Sequence, residues 1–250
     1  MSGHSKWSQI KRQKGAADVK RGQLFSKLTL PIILAARSGG GDPEANFQLK
    51  MAVERARAAD MPRENIERAI DRGTGRSGGA QIEEMLYEAI GPGGISIIIE
   101  AATDNKNRTA AAVKNTLFKF GGKLTGSGAA SYLFNRMGKL LINPAEKDKD
   151  EIEMAIIDSG AEDFEEQDGM IIVYTVPNKL EKVKKTLETA DIKTKEAMLS
   201  WEPKTMLVIS EEAVAKKIVD LMDTLDDLED ISAVYSNFNI PVTLITNLNK

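Results

Sequence analysis

The chain has 250 residues, 42% of them apolar and 28% charged, a globular composition long enough for two or three domains and at least one real core. It has no cysteine, which excludes disulfides and thiolate chemistry and leaves any zinc site to other ligands; this suits a reducing cytoplasm. The net charge of −3 conceals a division: residues 1–76 hold 15 Lys and Arg against 8 Asp and Glu, net +7, and the remainder is net −10.

Residues 1–15 show no period and read as a flexible arm. The arm holds "GHSKW", with the sequence's only histidine and one of its two tryptophans, followed by "KRQKGAADVKR". Within residues 1–27 seven basic residues stand against one acid, Asp18. One-sided charge confined to an end is the usual footprint of a polyanion-binding arm. From Ala16 the spacing of Ala17, Leu24, Phe25, Leu28, Ile32 and Ala35 predicts a helix with one apolar stripe. "LTLPIILAA" (28–36) is too short to span a bilayer and reads as core helix, with Pro31 expected to kink it or begin a new one. After "SGGGDP", Asp42 reads as an N-cap and Pro43 as the first helical residue of a second helix, with Ala45, Leu49, Ala52, Val53 and Ala56 facing inward. "MP" starts a third helix, with Ile66 and Ile70 on its inner face and Gly73 as its C-terminal stop, and residues 72–79 read as a linker.

Beyond the linker the pattern becomes mixed. "GPGG" (91–94) reads as a turn joining "MLYEAI" to the β-rich "ISIIIEAAT" (95–103), and a helix follows over 107–120, capped by Asp104 or Asn105. A compact unit comes next: strand 139–142, helix 148–159, strand 161–166, a turn at Asp168-Gly169, strand 170–176, helix 178–190 and strand 193–201. That order is the ferredoxin-like βαββαβ unit. After Pro203 come strand 205–210, helix 211–225 and strand 231–238, which need the strands at 82–103 to complete a sheet. The expected fold is therefore α+β. A basic helical N-terminal domain (1–79) carries the arm. A discontinuous α/β domain (80–136 and 204–240) follows, with an inserted ferredoxin-like domain (137–203), and residues 241–250 form a tail.

Tests for chemistry return little. His4 lies in the arm, where a Ser-His-Asp arrangement would have to recruit a terminus. "GTGRSG" (73–78) matches the dinucleotide fingerprint but follows a helix instead of a strand. "DTLDDLED" (223–230) fixes no ligand geometry and reads as the solvated end of a helix. No enzyme, cofactor, metal or small-molecule substrate is expected, and no membrane span. The arm survives the same weighing. Lys6, Lys11, Arg12, Lys14, Lys20, Arg21 and Lys27 can neutralise phosphates, and His4 can contact one. Trp7 has two readings, a stacking group for an unpaired base or a ring folded back on the helical domain. A second basic group, Lys106, Arg108, Lys114, Lys119 and Lys123, lies on or beside the 107–120 helix and reads equally as solvated face or binding face.

"GHSKW", "KRGQLFSKL", "AARSGGGDPEAN", "MPRENIERAIDRGTG", "YEAIGPGG", "EAATDNKNRTA" and "GSGAASYLF", in order from residue 3 to about 134, together resemble the YebC/PmpR family of bacterial proteins and their mitochondrial relatives. The resemblance implies a helical domain followed by two α/β domains, one inserted in the other. It also implies a non-enzymatic, nucleic-acid-associated regulator: a DNA-binding transcriptional regulator or, for some members, a translation factor acting on the ribosome. The residues matching the first motif are Gly3, His4, Ser5, Lys6 and Trp7, then Lys11, Lys14, Lys20, Arg21 and Lys27; Asp104, Asn105, Asn107 and Arg108 match the second. The sequence departs from the family at "LTLPII" and at Phe47. The expected partner is nucleic acid, DNA or RNA, reached from the cytoplasm, with the ribosome as the alternative setting.

Overall fold

The first described helix, α1 (Ala17–Gly39), runs unbroken through Pro31. Of the two outcomes expected at Pro31, a new helix does not begin there, because the stripe on either side of the proline is buried in one core: Leu28, Ile32, Ile33 and Ala36 pack with Leu49, Val53, Ala56, Ile66 and Ala69 of the next two helices. Burial of such side chains, at about 1.5–3 kcal/mol each, together outweighs the roughly 3 kcal/mol that an interior proline costs. The computed structural model describes residues 17–78, 81–144, 147–241 and 243–244, with the side chains of residues 17–21 outside that description.

Helix α2 (Phe47–Ala58) starts four residues later than Asp42-Pro43 suggests. Asp42 instead closes a turn, its Oδ1 accepting from the Glu44 N–H at 3.0 Å and its carbonyl from Asn46 at 2.9 Å, and Ala45 is exposed. The cap is Asn46. Its Oδ1 accepts from the Leu49 N–H at 3.1 Å, while its Nδ2 donates to the carbonyls of Ala35 at 2.7 Å and Gly40 at 2.9 Å. Helix α3 (Arg63–Gly73) ends where expected, for a different reason. Gly73 is needed for close approach: a Cβ there would stand 2.5 Å from the Ile33 carbonyl and 2.7 Å from the Ala36 side chain.

Strands β1 (Glu83–Ile90) and β2 (Ser96–Thr103) form an antiparallel hairpin across the Pro92–Gly94 turn, where Gly93 and Gly94 both have positive φ. Helix α4 (Lys106–Lys119) follows, then the two-residue β3 (Lys123–Leu124). After the inserted unit come β8 (Leu207–Val208), α7 (Glu212–Asp226), β9 (Ile231–Ser236) and β10 (Phe238–Asn239). Strand β9 rejoins the first sheet against β2, giving the order β3-β1-β2-β9. The expected strand 205–210 shrinks to β8, which pairs with β10 in a separate parallel ribbon. Along β2, Ile97, Ile99 and Ala101 face a core shared with Val113 and Leu117 of α4 and Ile218, Leu221 and Met222 of α7. Ala102 joins Ile82 in the helical core. With both faces covered, β2 reads as a continuous apolar run instead of an alternating one.

The described residues before Asn135, with those from Pro203 on, make one compact unit, and Asn135–Glu202 makes the other. The second unit runs β4 (Phe134–Ile142), α5 (Lys149–Asp158), β5 (Asp163–Gln167), β6 (Met170–Thr175), α6 (Leu180–Thr189) and β7 (Thr194–Pro203). Its sheet order, β5-β6-β4-β7, is the ferredoxin-like arrangement. The β5–β6 hairpin turns at Asp168 (φ 53°) and Gly169 (φ 72°), both left-handed, as a tight hairpin requires. The fold is α+β: a helical N-terminal region, a discontinuous sheet region and an inserted ferredoxin-like unit.

Candidate nucleic-acid interface

Of the arm residues, His4, Lys6, Trp7, Lys11, Arg12 and Lys14 lie outside the described residues. Lys20 and Arg21 fall on the first turns of α1, with side chains outside the description. Lys27, further along α1, has a specific partner. Its Nζ lies 2.8 Å from Asp226 Oδ1 at the end of α7, both side chains being less than one-fifth exposed. That ammonium ties the helical region to the sheet region. Asp226 comes from the acidic run that reads in sequence as a solvated helix end.

The second basic group divides. Lys106 Nζ lies 2.8 Å from Glu83, whose carboxyl is held below its ordinary range by that hydrogen bond and charge. Arg108 is held from two sides. Its Nη2 donates to Asp230 Oδ1 at 2.9 Å and Oδ2 at 3.0 Å, and to Asp104 Oδ1 at 3.1 Å. The Asp230 contacts raise the guanidinium pKa further, so it stays charged. Asp230 also accepts from the Thr109 hydroxyl at 2.6 Å, and Thr109 meets Thr103 at 2.8 Å. Between the two expected caps the structure selects Asn105, whose Oδ1 accepts from the Arg108 N–H at 3.1 Å. Asp104 instead faces Arg108 and, at 3.8 Å, Arg72 of α3. The "TDNKNRT" motif is thus a joint that locks the N-terminus of α4 to the start of β9 and the end of α3. Lys114, in contrast, is exposed on α4.

Sequence reasoning missed the anchor of a further motif. Glu88 on β1 is buried, and its carboxylate accepts backbone N–H groups from Gly128 at 2.8 Å, Ala130 at 2.6 Å and Ser131 at 2.8 Å. Burial pushes its pKa up, but these donors outweigh burial and hold it below the ordinary value. The "GSGAASYLF" loop is therefore pinned by one charge. The signal in sequence was a lone acid inside the otherwise apolar "MLYEAI".

The GPGG turn has the geometry of a strand connection: the Gly91 N–H donates to the Ile95 carbonyl at 2.8 Å. Among the described residues, no cluster of three His, Asp or Glu side chains is placed to hold a metal ion, and no helix is long and apolar enough to cross a membrane.

Two family models match the chain: residues 5–76 match the TACO1/YebC protein N-terminal domain, and residues 82–238 match the TACO1/YebC second and third domain. The chain is 43% identical over 252 residues to a protein of Halothermothrix orenii named "probable transcriptional regulatory protein", covering all of both chains. It is 45% identical over 245 residues to one of the same name from Treponema pallidum strain Nichols, covering 98% of this chain and all of that one. Its structure is similar to the crystal structure of a conserved hypothetical protein from Aquifex aeolicus, with a TM-score of 0.83 and 42% identity over 90% of this chain and 93% of that one. With both halves matched in order and full-length relatives above 40% identity, the chain belongs to the TACO1/YebC family.

Proposed function

We propose that this protein is a non-enzymatic regulator of gene expression that acts in the cytoplasm by binding nucleic acid, chiefly through its basic N-terminal arm. The observation that carries the reading is the excess of seven basic residues over one acid within residues 1–27 of a chain that is net acidic. The full-length relatives named as probable transcriptional regulatory proteins support regulation as the role, with DNA as the first candidate partner. Replacing Lys11, Arg12 and Lys14 with Glu is expected to weaken binding of a DNA fragment or an RNA. The slope of log K against log salt should flatten by about 2–3, the loss of three phosphate contacts. Unchanged affinity and slope would sink the reading.

A second reading places the same arm on ribosomal RNA, making the protein a translation factor. Trp7 favours it, since an aromatic ring in a basic arm suits unpaired bases better than a regular duplex. Sedimentation of extract with intact ribosomes separates the two. Co-migration, with arm crosslinks to ribosomal RNA, supports the second. Protection of a defined duplex site by protein that stays at the top of the gradient supports the first.

A further inference from the structure

Helix α1 projects beyond the core that holds it. Its buried core residues begin at Leu28 and continue through Ile32, Ile33, Ala35 and Ala36, with Phe25 half-buried against them. Before Leu28, Gly22, Gln23, Leu24 and Ser26 are exposed. The projecting part, 17–27, carries Lys20 and Arg21 and leads back into the basic arm. At the rise of an α-helix it is a lever about 15 Å long, so a swing of about 20° at its base moves the root of the arm by about 5 Å.

The base of that lever is where the helix ladder is interrupted. Pro31 has no N–H, so it cannot close the helical rung onto the carbonyl four residues earlier, that of Lys27. Just before it, the Thr29 hydroxyl donates to the Phe25 carbonyl at 2.7 Å, a side-chain bond of the kind that loosens and bends helices. The ion pair described above stands at this same point: Lys27 Nζ lies 2.8 Å from Asp226 Oδ1, with the two side chains 17% and 14% exposed. Asp226 has a firm footing. It ends α7, whose Leu221, Met222 and Leu225 are fully buried, and four residues on Asp230 holds Arg108.

We infer that Lys27 is a positioning residue for the nucleic-acid site: paired with Asp226, it pins the proline-weakened point of α1 and so fixes where the arm leaves the folded body, without touching nucleic acid itself. The inference rests on the nucleic-acid reading of the arm and deepens it, because it takes Lys27 out of the phosphate contacts and gives it control of the arm's course. To reach a phosphate, Lys27 would have to leave a carboxylate at 2.8 Å in a site mostly shielded from water, where an ion pair is screened least.

The test uses the full chain, a DNA duplex and a single-stranded RNA of mixed sequence, with affinity read across a salt series well below each variant's melting temperature. The variant with Lys11, Arg12 and Lys14 replaced by Glu is the reference. Lys27→Met keeps the aliphatic stem and loses the charge. It should weaken binding about fivefold, the loss that follows if α1 is correctly seated about one-fifth of the time, and leave the slope of log K against log salt unchanged. Asp226→Asn decides the sign: freeing a phosphate-binding lysine from its carboxylate would tighten binding, whereas loosening the lever weakens it, and weakening is expected. Exchanging the pair, Lys27→Asp with Asp226→Lys, should recover most of the affinity. Pro31→Ala restores the missing rung, so Lys27→Met made on top of it should weaken binding less than about twofold. A merely structural ion pair gives the same loss in both backgrounds. The chain has no cysteine, so nitroxides on Gln23→Cys and Lys216→Cys, both exposed positions, report the lever directly. Their distance distribution should broaden in Lys27→Met and narrow again in the exchanged pair. A slope flattened by about 1 in Lys27→Met, with tighter binding by Asp226→Asn, would make Lys27 a phosphate contact and overturn the inference while the arm reading stands. Unchanged binding in both single variants, with loss in the arm variant, would overturn it equally. If the arm variant binds like the unchanged chain, the arm reading fails and the positioning role falls with it.

Discussion

Glu88 shows how much one side chain organises here. A buried carboxylate is costly unless its lone pairs are used, and three backbone N–H groups use them. Glu88→Gln turns one acceptor oxygen into a donor that must face an N–H group. A loss of about 1–3 kcal/mol is expected in urea melts at neutral pH, with the "GSGAASYLF" loop the first region to lose hydrogen-exchange protection. The acid side follows from the sign of the shift. The folded pKa is depressed, so the stabilisation is fully present above the unfolded value of about 4.5 and drains away as pH falls through the folded value. The unchanged protein should lose stability below about pH 4.5, and the Gln variant should lose less over the same window. Parallel acid titrations of the two would contradict this account.

Among the elements, the start of α2 separates what sequence reveals from what it hides. Asp42-Pro43 satisfies every local rule for a helix start, yet Asn46 takes the role. Its amide both accepts and donates, so one side chain caps α2 and satisfies the Ala35 and Gly40 carbonyls where α1 ends. A carboxylate cannot do the second task. Asn46→Asp, a harmless exchange at most N-caps, should therefore cost nearly as much as Asn46→Ala, roughly 2 kcal/mol, whereas Asp42→Ala should cost well under about 1 kcal/mol. Equal melting temperatures for Asn46→Asp and the unchanged chain would refute the dual role. The same contrast runs through the molecule. The ferredoxin-like order was legible because its strands and helices carry clear apolar patterns and its hairpin has an Asp168-Gly169 turn. Two-residue strands such as β3, β8 and β10 carry no period and are set by their partners. The pairing of Lys27 with Asp226 and of Arg108 with Asp230 was hidden because the carboxylates lie far along the chain. In sequence those cations differ in no way from Lys114.

At the scale of the whole molecule, charge and chain path divide together. The chain leaves its first unit at Phe134 and returns at Pro203, and at that point the Lys204 N–H donates to the Leu133 carbonyl at 2.8 Å. The strands carrying the two ends, β4 and β7, are neighbours in the inserted sheet, so the unit closes on itself instead of needing the rest of the chain to hold its ends together. It has its own core, with Leu140, Ile142, Ile152, Ile156, Val173, Leu180, Val183 and Leu187 nearly or fully buried. It also holds 10 Lys and Arg against 16 Asp and Glu, net −6, so most of the acidity beyond residue 76 resides there. Two outcomes are expected of residues 135–202 expressed alone. The fragment should melt in one cooperative transition, with calorimetric and van't Hoff enthalpies in agreement, because its strand pairs and both helices are internal to it. If the proposed arm contact holds, it should also fail to retard a nucleic acid that the full chain retards, because its net charge repels a polyanion and the arm lies outside it. A broad, non-cooperative melt would mean that the insertion borrows its stability from the first unit. Retardation by the fragment would move the nucleic-acid site into the acidic unit and away from the basic surfaces.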